Sequence, residues 1–270
     1  MNTNNNLYTI LYSAVIVVVV AAILAWVAMA LKPKQDANIK AETISQMLAA
    51  AQFASKEDLA KISNEQVLEQ YSKYIQEAYL IDAEGKKVRD LDLDTRELGD
   101  DLKAQSSNLK KDAAVQLPVY IFNKDGKDVT ILPVYGVGLW GPVWGYIAFD
   151  EDMKTILGVY FDHESETPGL GAKIKDDPSF RAQFVGKTVD LDAEPVFAVV
   201  KNASGSNQVD AITGATMTSK GLGAAIGNWL AAYKPYIQAV APDDSCGCEE
   251  DCEEDMSCCE EEADETNEEE

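Results

Sequence analysis

The chain has 270 residues, with 46 acidic against 23 basic side chains, one histidine and a net charge of −23. Sixteen of the acidic residues and all five cysteines lie after Pro242, which leaves 30 acidic against 23 basic residues in the rest. Without clustered Lys and Arg, nucleic acid is excluded as a partner, and a body free of cysteine uses no disulfide. The length allows one large domain or two small ones.

Residues 7–31 contain no charged side chain, and 14–31 are almost wholly apolar. About 20 residues of helix cross a hydrocarbon core, so this run is long enough to span a membrane with some tilt. Tyr8, Tyr12 and Trp26 suit the interfaces. Ala28-Met29-Ala30 imitates a signal-peptide cleavage site. However, no Lys or Arg precedes the run, and it exceeds the usual signal core of about 7–15 residues, so a retained anchor is expected. Lys32, Lys34 and Lys40 follow the span, which by the positive-inside rule keeps the remainder in the cytoplasm.

Residues 35–53 read as helix from partly periodic Ile39, Ile44, Met47 and Leu48, and 55–80 as further helix with a cap at Ser63-Asn64-Glu65-Gln66. Residues 81–114 are charged and weakly patterned, the texture of a solvated helix or loop. From Leu117 the pattern turns β-like. Pro118-Val119-Tyr120-Ile121-Phe122 and Val129-Thr130-Ile131-Leu132 flank residues 123–128, whose Asp125-Gly126 pair is a hairpin signal. Residues 146–149 and 156–161 continue the sheet, 180–185 read as a short helix, and 196–200 as another strand. The fold class expected is α+β: a single N-terminal transmembrane helix, then helices, then a mixed or antiparallel sheet with helices on one face. The divisions are 1–33 anchor, 34–116 mainly helical, 117–242 α+β domain and 243–270 tail.

Three stretches stand out in the α+β part. Residues 136–146, Gly-Val-Gly-Leu-Trp-Gly-Pro-Val-Trp-Gly-Tyr, hold too many glycines for one regular element. They read either as a loop presenting backbone and Trp140 to a flat ligand, or as a tight turn with Trp140 and Trp144 as core anchors. Glu166-Thr167-Pro168-Gly169-Leu170-Gly171 is a turn by composition, Pro168 setting φ and Gly169 permitting a positive one. Beside it, His163 lacks any partner motif that would make it an acid or base. Asp210-Ala211-Ile212-Thr213-Gly214-Ala215-Thr216-Met217-Thr218-Ser219 precedes a helical pattern in which Leu222, Ile226 and Leu230 recur every fourth residue. Thr218 or Ser219 is the expected N-cap. A helix start of this kind draws phosphate through its free amides and positive dipole end. Gly221, Gly223 and Gly227 would let a backbone or ligand approach closely.

The acidic tail cannot bury a core and is expected to be disordered. Cys246, Cys248, Cys252, Cys258 and Cys259 match no standard zinc or ferredoxin spacing, although thiolates could hold a soft metal. No P-loop, Gly-x-Gly-x-x-Gly fingerprint or nucleophilic triad is present, so NADH binding by this chain is not expected.

Asp210–Thr216 resembles the Asp-x-x-(Ser/Thr)-Gly-Ala-Thr motif at which FMN is joined to threonine through its phosphate. Together with 136–146, 166–172 and the N-terminal span, it makes the chain resemble the C-subunit family of the Na+-translocating NADH:quinone oxidoreductase. The likeness covers roughly residues 7–238. It implies an electron-carrying subunit with covalent FMN, Thr216 being the acceptor. Thr213, Gly214, Ala215, Thr218, Trp140, Glu166, Thr167, Leu170 and Gly171 complete the flavin-binding set. The resemblance further implies the other subunits of a sodium-pumping complex as partners, with NADH oxidised and quinone reduced elsewhere in the assembly. It also implies a flavin transferase for maturation and a domain on the periplasmic face of a bacterial inner membrane, against the three lysines. The G-subunit family of the related Rnf ferredoxin:NAD oxidoreductase shares the motif and is the alternative. An anchored metal-binding protein acting through its cysteine tail is an alternative of a different class.

Overall fold

The computed structural model describes residues 6–99, 101–111 and 113–242. The acidic tail and its cysteines lie outside them.

Helix α1 (Asn6–Ala50) is a single 45-residue element that carries the apolar run and continues past it. It is the one described helix long and apolar enough to cross a membrane. The anchor and the helix expected after residue 35 are therefore continuous, with Pro33 inside. Proline removes one backbone bond, but beyond it Ala41, Ile44, Met47 and Leu48 are buried and hold the helix by packing. Two short helices follow, α2 (Lys56–Leu59) and α3 (Asn64–Tyr74). Ser63 caps α3 as expected: its hydroxyl accepts the Gln66 amide while the Gln66 side chain accepts the Ser63 amide.

Here the structure departs from the expectation. Helix stops at Tyr74, and Ile75–Ile81 forms strand β1, paired on one side with β2 (Lys87–Asp90). Two polar residues followed by the apolar run Ala78-Tyr79-Leu80-Ile81 suit either state. Pairing with a strand some forty residues away decides it, because β preference depends on such partners. Helix α4 (Leu102–Lys110), capped by Asp101, lies in the stretch with no clear pattern.

Four strands complete the sheet: β3 (Leu117–Lys124), β4 (Lys127–Val137), β5 (Pro142–Phe149) and β6 (Ile156–His163). The order is β2-β1-β3-β4-β5-β6, all neighbours antiparallel. Asp125 and Gly126, at φ +56° and +85°, make the two-residue turn between β3 and β4. Next come α5 (Lys173–Asp176), α6 (Pro178–Ala182), a parallel pair β7 (Ala198–Val200) and β8 (Gln208–Asp210), and α7 (Thr216–Val240).

Helices cover both faces of the sheet, not one. Val143, Ile147 and Phe149 of β5 point into a core with α7 and α6, while Tyr146 and Ala148 point into a second core with α1 and α3. The period of two along β5 thus divides its side chains between two interiors. Helix α7 is fastened to its face by polar tips of buried aromatics. Trp229 Nε1 donates to the Tyr135 carbonyl at 2.7 Å, Tyr233 Oη to the Pro118 carbonyl at 2.8 Å, and Tyr79 and Tyr236 share a 2.9 Å bond.

Candidate functional site

The glycine-rich stretch is the tip of the β4–β5 hairpin. Val137 pairs with Pro142, and the Gly138 amide donates to the Gly141 carbonyl at 2.8 Å. Gly138 and Gly171 leave room for the Glu166 carboxylate, since a methyl group on either would run into its oxygens. Trp140 sits on the tip and is 66% exposed, so it is not the core anchor that one reading allowed. Trp144 is half-buried on the α1 face, its Nε1 donating to Gln46 Oε1 at 3.4 Å.

Glu166 joins all three stretches. It is only 4% exposed. Its Oε1 accepts the Trp140 amide at 2.9 Å and its Oε2 accepts the Thr218 hydroxyl at 2.6 Å. A buried carboxylate costs free energy unless both oxygens find donors, and here the donors come from the hairpin tip and from α7. The Glu166 amide donates to His163 Nδ1 at 3.2 Å, and Ser165 Oγ donates to the Trp140 carbonyl at 3.1 Å. His163 thus helps to orient this loop. The Thr167 carbonyl accepts the amides of Leu170 and Ala172, both at 3.1 Å, which rounds off the turn.

The start of α7 corrects the capping expectation. The helix begins at Thr216 after Ala215, and no side chain caps it. Thr218 is engaged by Glu166, and Ser219 Oγ accepts the Ile212 amide at 3.0 Å, so both hydroxyls brace the approach to the helix from within it. The amides of the first turn are consequently left for another acceptor. Thr216 and Thr213 are exposed. Gly214 takes φ +83°, and a Cβ there would stand 3.0 Å from Leu170 Cδ2, so the threonine loop and the 166–171 turn are in contact. Two exposed apolar side chains lie close to Thr216, Leu170 (43%) against Gly214 and Met217 (57%) next to it in the chain, while Leu139 (51%) and Trp140 stand on the hairpin tip that Glu166 ties to Thr218. Leu139 and Met217 escaped sequence reasoning. Nothing but adjacency to Trp140 and Thr216 marked them.

The structure thus brings together Trp140, Glu166, Leu170, Gly171, Gly214 and Thr218, with Thr216 exposed beside them and Ala215 buried beneath. Thr167 contributes backbone to the turn and Thr213 lies at the loop surface. One further group escaped the sequence reading. Asp162, buried at the end of β6, accepts from Gln46 Nε2 of α1 at 2.8 Å and pairs with Lys175 Nζ at 2.8 Å. Among the described residues no cluster of His, Cys, Asp and Glu could hold a metal ion.

The sequence profile of the FMN-binding domain family matches residues 138–231, from the hairpin tip into α7. The C-subunit of the Na(+)-translocating NADH-quinone reductase of Vibrio vulnificus (strain YJ016) is 31% identical over 238 residues, covering 82% of this chain and 90% of that protein. The chain belongs to this C-subunit family. The same subunit of Yersinia pestis is 37% identical over 131 residues, 45% of this chain, which there spans 48% of its relative's length. A crystal structure of the subunit from Parabacteroides distasonis ATCC 8503 is 34% identical and superposes with a TM-score of 0.64, over 77% of this chain and 96% of that one. Every residue of the Glu166 junction falls within the stretch that the FMN-binding profile matches. Shape and donors suit a flavin phosphate: an exposed hydroxyl at an uncapped helix start, a glycine in the left-handed region beside it, and an apolar rim.

Proposed function

We propose that this chain is an electron-carrying subunit of a sodium-pumping NADH:quinone reductase and that it holds FMN as a phosphoester on Thr216. The observation that carries this reading is the exposed Thr216 hydroxyl at the uncapped start of a 25-residue helix. A phosphate there meets free amides and the positive end of the helix dipole. FMN, when bound, supplies reversible acceptance and release of electrons, and attachment keeps it from being lost between turnovers.

The remaining residues bind and orient. Glu166 holds the Trp140 backbone and the Thr218 side chain in one place, which sets the hairpin tip against the start of α7. Trp140, Leu170 and Met217 offer apolar surface to the ring system and limit water around it. Thr213, Gly214, Ala215, Thr167 and Gly171 shape the loops behind. In this reading the other subunits of the complex oxidise NADH and reduce quinone, and a separate flavin transferase performs the attachment. The domain stands on the periplasmic side, where the family likeness outweighs Lys32, Lys34 and Lys40. The quinone reductase is preferred to the Rnf complex because relatives matched over most of their length carry the quinone reductase name.

Thr216→Val tests this, since an exposed threonine can be replaced without disturbing a core. Wild-type protein, coexpressed with the transferase, should show a fluorescent band on a denaturing gel and a flavinylated peptide by mass spectrometry. The valine variant should show neither. Covalent flavin surviving in the variant overturns the assignment to Thr216, and wild type without any overturns the flavin reading.

A further inference from the structure

We propose that α1 acts as a strut holding the hairpin tip against the lipid–water interface, with Leu139 at headgroup level. The inference rests on α1 crossing the membrane; it does not depend on flavin attachment or on which side the domain lies. The course of α1 over the sheet sets the direction. Gln52 Nε2 donates to the Leu157 carbonyl near the start of β6, and the Ala50 carbonyl lies against Gly158. One and a half turns nearer the span, Gln46 reaches Asp162 at the other end of β6 and Trp144 on β5. Nearer still, Ile39 and Thr43 share a groove with Tyr135 of β4 and with Trp144 and Tyr146 of β5. Followed toward the membrane, α1 therefore runs obliquely from the far end of the sheet to the end that bears the hairpin tip and the 164–171 loop.

Two lengths then meet. From Ile39 to Leu31, the last residue of the apolar run, α1 rises about 12 Å at 1.5 Å per residue. From Trp144 to the tip the hairpin extends no more than about 13 Å, the length of four strand residues at 3.3 Å each. The tip accordingly reaches toward the level at which the apolar run gives way to Lys32 and Lys34. A headgroup layer occupies that level. Leu139, 51% exposed, is the apolar side chain of the tip that the flavin reading leaves free, and an exposed Leu suits the boundary between headgroups and acyl chains. The tip is in this way continuous with the apolar surface that α1 already presents to lipid.

The experiment places the photoreactive residue p-benzoylphenylalanine at Leu139 of the full chain, reconstituted in vesicles of phosphatidylcholine and phosphatidylglycerol. The control position is Val185, also exposed but at the opposite end, where Gly186 is bonded to the Ile156 carbonyl. After irradiation, lipid adducts identified by mass spectrometry should be at least fivefold more abundant at 139 than at 185. Equal yields at the two positions, or adducts at 139 formed only with polypeptide or not at all, overturn the proposal. A helical heptad inserted after Lys34 adds two turns, about 10 Å, and should abolish the adduct at 139. Persistence of the adduct in that variant overturns the strut.

Discussion

The two faces of the central sheet combine apolar packing and buried polar contacts in different proportions. Toward α7 the core is aromatic and aliphatic, containing Trp229, Tyr233, Phe161, Phe184 and Phe197, and the buried Glu166 carboxylate lies at its edge, between the hairpin tip and the start of the helix. The helix comes so near that a methyl group at Gly221 would strike the Val137 carbonyl. Toward α1, the interior admits Ser45, Gln46 and Asp162, all nearly fully buried, and Lys175 and Lys56 reach in to meet them. Apolar packing has no direction, so it sets how close α7 stands to the hairpin and hence where Thr216 lies relative to Trp140. Hydrogen bonds have direction, so those on the other face set how α1 is rotated and which end of the sheet it leads to the membrane. Closeness is needed to enclose a ligand. Orientation is needed to place a soluble domain on a fixed anchor.

The largest effect that tests this contrast belongs to the apolar face. Trp229→Ala removes a fully buried indole and its bond to the Tyr135 carbonyl, and should cost about 3–5 kcal/mol by urea denaturation. A cost below about 1 kcal/mol would mean that α7 is not held by packing. On the polar face, Gln46→Leu takes one donor from the Asp162 carboxylate and leaves Lys175. We expect a loss of about 1.5–3 kcal/mol, with covalent flavin unchanged on a denaturing gel. A fall in flavin content in this variant would erase the division of labour between the faces.

The smallest effect lies at the rim of the polar face, where Glu42 pairs with Lys56 at 2.8 Å. Burial works to raise the Glu42 pKa, but the hydrogen bond and charge of Lys56 together bring it below the usual carboxylate value. A carboxylate depressed in the folded state stabilises above its unfolded pKa, and that contribution is lost as pH falls through the folded value. Glu42 is half exposed and screened, so Glu42→Gln should cost less than about 1 kcal/mol at pH 7. The gap between variant and wild type should close on acidification below pH ~4. A gap that widens there would contradict the pairing.

Some of this architecture was legible in the residues. An uncharged run of about 25 residues has few fates, Asp125-Gly126 closes a hairpin from its own backbone preferences, and Ser63 with Gln66 satisfies a helix start locally. The threonine motif was read as leading into a long helix, because every fourth residue of 222–230 is apolar, although that helix starts at Thr216, within the motif. Each of these signals is complete within a short stretch of chain, so distant partners are not required to read it.

Tertiary structure alone decided the rest. Ile75–Ile81 became a strand because β3 lies beside it, and a pattern that also fits a helix cannot announce a partner forty residues away. Thr218 looked like a cap and instead donates to Glu166, a residue 52 positions earlier. Gln46 resembled any polar helix residue until Asp162, 116 positions later, was placed against it. Local sequence determined which segments would be helix start, turn or span, since those depend on neighbouring backbone. Which buried polar atom meets which donor depends on long-range packing, and only the folded chain brings those atoms within 3 Å of one another.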